Sequence, residues 1–335
     1  MIIKISKRTP QPIRRGCRIN IDYFLIMLLF AVLLARLYPS VGAYQGFFSL
    51  STLSSVGISV IFFFYGLKLN REKLVTNLGN TRLHVLIQSV TFVLFPVLIL
   101  LIRPFFQSDN YVLLWLGVFY LATIPSTVSS SVVMVSIAGG NVPAAIFNAS
   151  LSSLAGVFVT PFLMSLVLSN TAIVGTSGLL PIIGKLIIQI ILPILLGIYF
   201  NKRWGDFAER NGKRLRLFDQ SVILLIVYTS FCVSFENNSF SDFSTKTIIS
   251  CAVGMMLLFF VVYSIVGLLC RRMKMSREDT ITAQFCGSKK SLVHGSAMAN
   301  VIFAGYGSIG LIMLPIMIYH TLQIVIVSAI ARKKR

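Results

Sequence analysis

The feature that most constrains this chain is a succession of apolar runs, each about twenty residues long, with charged residues crowded between the runs. A helical run of that length crosses a hydrocarbon core about 30 Å thick. The bilayer offers no water to free N–H and C=O groups, so such a run must satisfy its own backbone as a helix. Charged residues make up 12% of the chain and hydrophobic residues 56%, whereas an average soluble domain is about 25% charged. The runs predict an all-α membrane protein of ten transmembrane helices, at 21–37, 47–68, 83–102, 112–138, 142–168, 179–200, 217–235, 247–269, 281–304 and 308–330. Residues 1–20 read as a basic cytoplasmic tail with no small-residue cleavage pattern, and 21–335 as a single membrane domain.

Positive charge sets the orientation. Lys and Arg cluster in the tail (Lys4 to Arg18), at Lys68–Arg82, at Lys202–Arg216, at Arg271–Arg277 and at the end of the chain, Arg332–Arg335. The opposite side receives only Arg36, Arg103, Lys185 and Lys246. Basic clusters on alternate connections place both termini in the cytoplasm, in an integral, multi-pass protein of the cell (inner) membrane if the source is bacterial. A net charge of +20 does not imply nucleic acid here, because the charges cap apolar runs and form no continuous basic face. Cys17, Cys232, Cys251, Cys270 and Cys286 have no metal-ligand or disulfide-framework spacing, so buried thiols are expected.

The two halves share a layout, 21–168 and 179–330, with an odd number of spans in each. They are therefore read as inverted five-helix repeats, an arrangement typical of secondary transporters. In corresponding places each half carries a span that cannot be a smooth lipid-facing helix. The fourth contains Pro125 followed by Ser126, Thr127, Ser129, Ser130 and Ser131. The proline removes a backbone hydrogen bond, and hydroxyls resatisfy freed groups or face a polar cavity. The ninth contains Gln284, Gly287, Ser288, Lys289, Lys290, Ser291 and His294. A charge at bilayer depth costs at least about 2.5 kcal/mol, so a helix broken near Gly287, with both lysines in a water-lined cavity, is expected. Blander alternatives are a small-residue packing seam for the serines and snorkelling for the lysines. Weaker polar candidates are Gln88 in the third span, Asn148 and Ser152 on one face of the fifth, and His320 and Gln323 in the tenth. Nucleotide-hydrolysis and intramembrane-hydrolase motifs are missing from the sequence, as is any acidic residue in mid-span.

Several stretches, in order along the chain, resemble the bile acid:sodium symporter superfamily and its divergent sodium/bile-acid-cotransporter-like branch. They are Phe64–Leu69, Gln88–Pro96, Pro125–Ser131, Gly140–Ala145, Cys286–Leu292 and Leu314–His320. The resemblance implies discontinuous fourth and ninth helices that cross at the centre. It also implies a core domain (about 83–168 and 247–330) moving against a panel domain (about 21–68 and 179–235). By motif, Ser130 and Ser131 match sodium ligands of the coupled relatives, and Gln88 matches a third-helix ligand. Fifth-helix hydroxyl positions of those relatives fall on Ala145 and Ala149, a bridging glutamate on Phe285, and a glutamine ligand on Lys289. These departures set two ammonium groups where cations would bind.

The reading is a secondary active transporter, not an enzyme, that moves an organic anion by alternating access. Lys289 and Lys290 attract the anion or substitute for coupling cations, while Ser126, Ser129, Ser130, Ser131 and Ser288 donate hydrogen bonds. No cofactor or resident metal is expected, and sodium or a proton is left open as the coupling ion. The expected partners are the bilayer and the solute, not nucleic acid. The alternative is a non-transporting membrane regulator working through its basic connections, to which the branch's link with calcium homeostasis would attach.

Overall fold

The computed structural model describes residues 23–44, 46, 49–68, 80–105, 109–168, 184–185, 187–241, 244–303 and 308–334. The tail and Cys17 lie outside the described residues, as do residues 21–22 and 47–48 at the starts of the first two predicted spans, the start of the sixth, residue 304 at the end of the ninth, and 305–307 between the ninth and tenth. Among the described residues the chain is all helix, with no strand. In chain order the helices are α1 Tyr23–Leu37, α2 Pro39–Ala43, α3 Leu50–Lys68, α4 Thr81–Leu101, α5 Asp109–Thr123, α6 Ser129–Ile137 and α7 Val142–Leu168. They continue as α8 Ile187–Arg210, α9 Gly212–Glu236, α10 Thr245–Arg272, α11 Arg277–Ser288, α12 Leu292–Ile302 and α13 Ile309–Lys334. Seven of these (α3, α4, α7, α8, α9, α10 and α13) are long and apolar enough to cross a membrane.

Helix starts follow capping chemistry. The side chains of Asn80, Ser244, Ser276 and Ser291 accept from the N–H three residues on, at the heads of α4, α10, α11 and α12. Between α6 and α7 the chain reverses at Gly139, which takes φ +72°, a left-handed conformation that glycine reaches at no steric cost. Large apolar side chains left outside the packing, such as Phe158 and Phe162 of α7 and Leu257 of α10, are what a lipid-facing surface requires.

α3 packs along α8, and α1 and α2 along α9. Around the other centre, α5 lies on α13, α10 on α11 and α13, and α11 on α4, α6 and α7. α9 touches α12 and α13 between the two groups. The α3–α8 contact brings backbone onto backbone. A Cβ at Gly197 would overlap the Phe63 carbonyl oxygen, and one at Gly66 the Ile194 carbonyl oxygen. Small residues permit such approach where apolar lipid supplies no drive for helix association. Gly197→Val is therefore expected to lower the melting temperature by about 5 °C or more, or to abolish recovery of monodisperse protein. Size-exclusion profiles and thermal unfolding check this.

One boundary differs instructively from the sequence reading, and one is sharpened. The basic stretch 202–216, read as a connection, is helical: α8 runs to Arg210 and α9 begins at Gly212. Apolar residues spaced through it hold it down. Ala208 and Leu215 bury against Leu67, and the Trp204 ring stacks on Phe200 at 5.3 Å. The ninth span breaks near Gly287, as expected, with the helix ending one residue later at Ser288. Gly287 stays in α11, where a Cβ would sit 3.3 Å from Val90.

Candidate functional site

α5 ends at Thr123 and α6 begins at Ser129, while α11 ends at Ser288 and α12 begins at Leu292. The two gaps touch. The Ser291 N–H donates to the Pro125 carbonyl at 2.9 Å, and Ser126 Oγ donates to the Cys286 carbonyl at 2.6 Å.

Interrupting a helix frees backbone groups that must be paired where water is scarce, and several partners here are identifiable. The Ser126 N–H donates to Ser152 Oγ at 3.0 Å, and Thr160 Oγ1 donates to the Thr123 carbonyl at 2.8 Å. Tyr319 OH donates to the Ser288 carbonyl at 2.6 Å. Tyr120 OH donates to the Gly295 carbonyl, also at 2.6 Å. Gln323 grips Lys290 twice: Oε1 accepts the Lys290 N–H at 2.9 Å and Nε2 donates to its carbonyl at 2.8 Å. His320 Nδ1 lies 3.0 Å from the same Nε2.

Between the breaks the two lysines part company. Lys289 (φ −97°, ψ 146°) and Ser291 (φ −90°, ψ 113°) are extended, and successive side chains of an extended segment point to opposite sides. Lys290 Nζ donates to the carbonyls of Ala122 at 2.6 Å, Thr91 at 2.8 Å and Ile124 at 2.9 Å. It also lies 4.3 Å from the centre of the Phe95 ring. Lys289 Nζ donates to Ser130 Oγ at 2.7 Å, in the first turn of α6. Ser130 Oγ is 3.2 Å from Thr127 Oγ1, which is 2.9 Å from Ser131 Oγ. Both lysines are buried, at 0% and 1% exposure. The expected water-lined cavity is thus corrected for both amines: Lys289 Nζ is fully buried against Ser130, and Lys290 sits in a cage of carbonyls and an aromatic face.

The Thr91 carbonyl is free for a local reason. At Val90–Leu94 helix α4 widens to a π turn, with the Phe95 N–H bonded to the Val90 carbonyl five residues back. In that register the next donor would be residue 96, a proline with no N–H. A π turn of this kind often marks a functional position.

Other predicted residues fall into separate places. Asn148 Nδ2 donates to the Ala144 carbonyl at 2.8 Å and lies 2.8 Å from His84 Nδ1, while Gln88 Nε2 donates to the Asn148 carbonyl at 3.1 Å. Gln88 Oε1 is buried with no partner. Ser152 is one turn from Asn148 and reaches the crossing through Ser126. Gln284 turns away from it: Nε2 donates to the Tyr263 carbonyl at 3.2 Å, and Oε1 accepts from Lys334 Nζ at 2.6 Å. Ser288 Oγ bonds back to the Gln284 carbonyl at 2.6 Å. Ser291 caps α12, and His294 packs edge-on against Phe62 and Tyr65. Of Ser129 only the backbone is described. Sequence reasoning missed Tyr120, Tyr319 and Phe95, which read as ordinary apolar-span aromatics, and the carbonyls of Ala122 and Ile124, which no side chain announces.

A separate apolar groove of about 710 Å³ lies between α4, α5 and α10, lined by Leu98, Ile102 and Met255, with Lys246 at its edge. Cys232, Cys251, Cys270 and Cys286 are free and buried. Among the described residues no group of three or more His, Cys, Asp or Glu side chains could hold a metal ion.

Residues 22–335 match the family model of the SBF-like CPA transporter family. The chain is 37% identical over 314 residues to "Putative symporter YfeH" of Escherichia coli (strain K12), covering 93% of this chain and 92% of that protein. It is 32% identical over 318 residues to sodium/bile acid cotransporter 7 of Rattus norvegicus, with 93% and 92% covered. To the Danio rerio protein of the same name it is 31% identical over 318 residues, with 93% of each covered.

Proposed function

The chain belongs to the SBF-like CPA transporter family, a divergent branch of the bile acid:sodium symporter superfamily, and from that premise we propose that it carries an organic anion by alternating access through the α5/α6–α11/α12 crossing. The protein is a membrane transporter; the solute class, the route and the roles of residues are this proposal. The observation that carries it is the position of Lys289. Its ammonium lies against Ser130 in the first turn of α6, where the helix macrodipole is positive. Two positive ends converge in a buried place, and the electrostatically complementary guest is an anion. Ser130 and Ser131 supply hydroxyls to orient it, with Ser126 and Ser152 holding the break beneath them.

In this reading the seven long helices, α1 and the two interrupted pairs make ten spans in two inverted repeats, with both termini in the cytoplasm. What supports the count is the alternation of basic clusters in the sequence together with two broken helices at matching places. The helices α1, α3, α8 and α9 form a panel against which the remaining core moves. The contact of α9 with α12 and α13 is where sliding would occur. Of the positions that match sodium ligands, Ser130 is occupied by Lys289, and a fixed ammonium repels a second cation beside it. Sodium coupling is therefore not part of the proposal.

Purified protein in liposomes, offered radiolabelled organic carboxylates and sulfates including bile acids, tests it. Saturable uptake of at least one anion is expected, at the same rate in sodium and choline chloride. Failure of every anion alongside uptake of a cation or a neutral solute would overturn the assignment.

A further inference from the structure

Lys290 is not needed to attract that anion. It points away from Lys289, and its Nζ ends on the Ala122, Thr91 and Ile124 carbonyls at 2.6, 2.8 and 2.9 Å, beneath the face of Phe95 at 4.3 Å. An ammonium group has three N–H donors and no acceptor, and three oxygens meet them. Two of those oxygens lie at the carboxyl end of α5, where the helix dipole is negative. An aromatic face adds to the attraction for a cation.

The cage is a property of the backbone, independent of the lysine. Pro125 and the break expose the carbonyls of Ala122 and Ile124, and Pro96 leaves that of Thr91 without an amide partner. Converging carbonyl oxygens are the ligands that replace a monovalent ion's hydration shell in selective membrane sites. We propose that the Lys290 ammonium is a tethered monovalent cation, filling a backbone-carbonyl ion site at the crossing that would otherwise take a free ion. The protein thus carries its own positive charge at this position, and removing the side chain converts it into one that requires an external cation. Without any occupant three buried carbonyls lose their partner, which no packing change repairs.

The proposal rests on the crossing being the transport site, but its test does not use transport. Melting temperatures of purified wild type and Lys290→Ala are compared without substrate, in choline, sodium and potassium chloride of equal ionic strength, and in choline with added propylammonium. Wild type is expected to melt alike in all four. Lys290→Ala is expected to melt lowest in choline alone. Sodium, potassium or propylammonium should raise it saturably by about 3 °C or more. If the variant cannot be recovered in choline, recovery when extracted with one of those cations counts for the proposal. Loss in every condition, an unchanged melting temperature across the salts, or a salt response in wild type of the same size would overturn it. Lys290→Met, which keeps bulk without charge, supplies a second reading: stability equal to wild type in choline would also overturn it. Loss of the salt response would leave Lys289-dependent uptake standing, and a failed uptake panel would leave the salt response standing.

Discussion

Lys289→Ala is expected to lower anion uptake into liposomes by about 10- to 100-fold, while leaving the melting temperature unchanged or raised. The reasoning separates binding from folding. A hydrogen bond from a charged donor contributes about 1.5–3 kcal/mol, which sets the loss in uptake. In the empty protein that ammonium bonds only Ser130 among the described residues, beside the positive end of α6, so folding gains little from it. Lys289→Gln keeps a donor without the charge and should fall between the two. Initial uptake rates across substrate concentration, paired with thermal unfolding of the same preparations, decide the point. A variant that transports normally removes Lys289 from the binding site. One that fails to fold makes it a structural residue.

The opposite pattern is expected for Gln323→Leu. Its amide is the partner of both the N–H and the carbonyl of Lys290, and leucine fills the same space with neither group. Each buried polar group left unpaired costs about 1–3 kcal/mol, so a destabilisation of about 2–5 kcal/mol is expected, enough to lower the yield of folded protein severalfold. Gln323→Glu retains the acceptor for the Lys290 N–H and loses the donor, and should cost about half as much. Denaturation midpoints in detergent measure this series. Equal stability for all three proteins would mean that the break is held by something other than this amide.

Much of the architecture was legible because the bilayer leaves so few options. Apolar runs marked most helices to within a few residues, though not the basic end of α8, which runs ten residues past its predicted end to Arg210; proline before a hydroxyl run marked the fourth-span interruption at its true place. The lysine pair marked the second interruption but not its geometry. The cost of charge at bilayer depth predicts a shared water-lined cavity for the pair, although on a helix two adjacent lysines would diverge by about 100°. On the extended segment they occupy, they point to opposite sides and meet opposite ends of two half-helices. That outcome depends on the helix ending at Ser288, so that both lysines fall in the extended segment. Gly287 itself serves packing. The carbonyl partners of Lys290 were hidden for a different reason: backbone oxygens belong to every residue, and only the π turn before Pro96 and the ending of α5 make these three available. Of the polar residues singled out, Ser126, Ser130, Ser131, Ser152 and Gln323 gather at the crossing. Gln284 and His294 are drawn off to neighbouring helices by Lys334, Tyr263, Phe62 and Tyr65. Side-chain periodicity within an all-apolar helix carries no record of such choices.

The central claim is that an anion binds where Lys289 meets the amino end of α6. A density map of the purified protein, saturated with an anion identified by uptake, tests it most directly. The account predicts density for the anion within hydrogen-bond distance of Lys289 Nζ and the α6 hydroxyls, with Lys290 Nζ still in its carbonyl cage. Anion density in the groove beside Lys246, with the crossing empty, would contradict it.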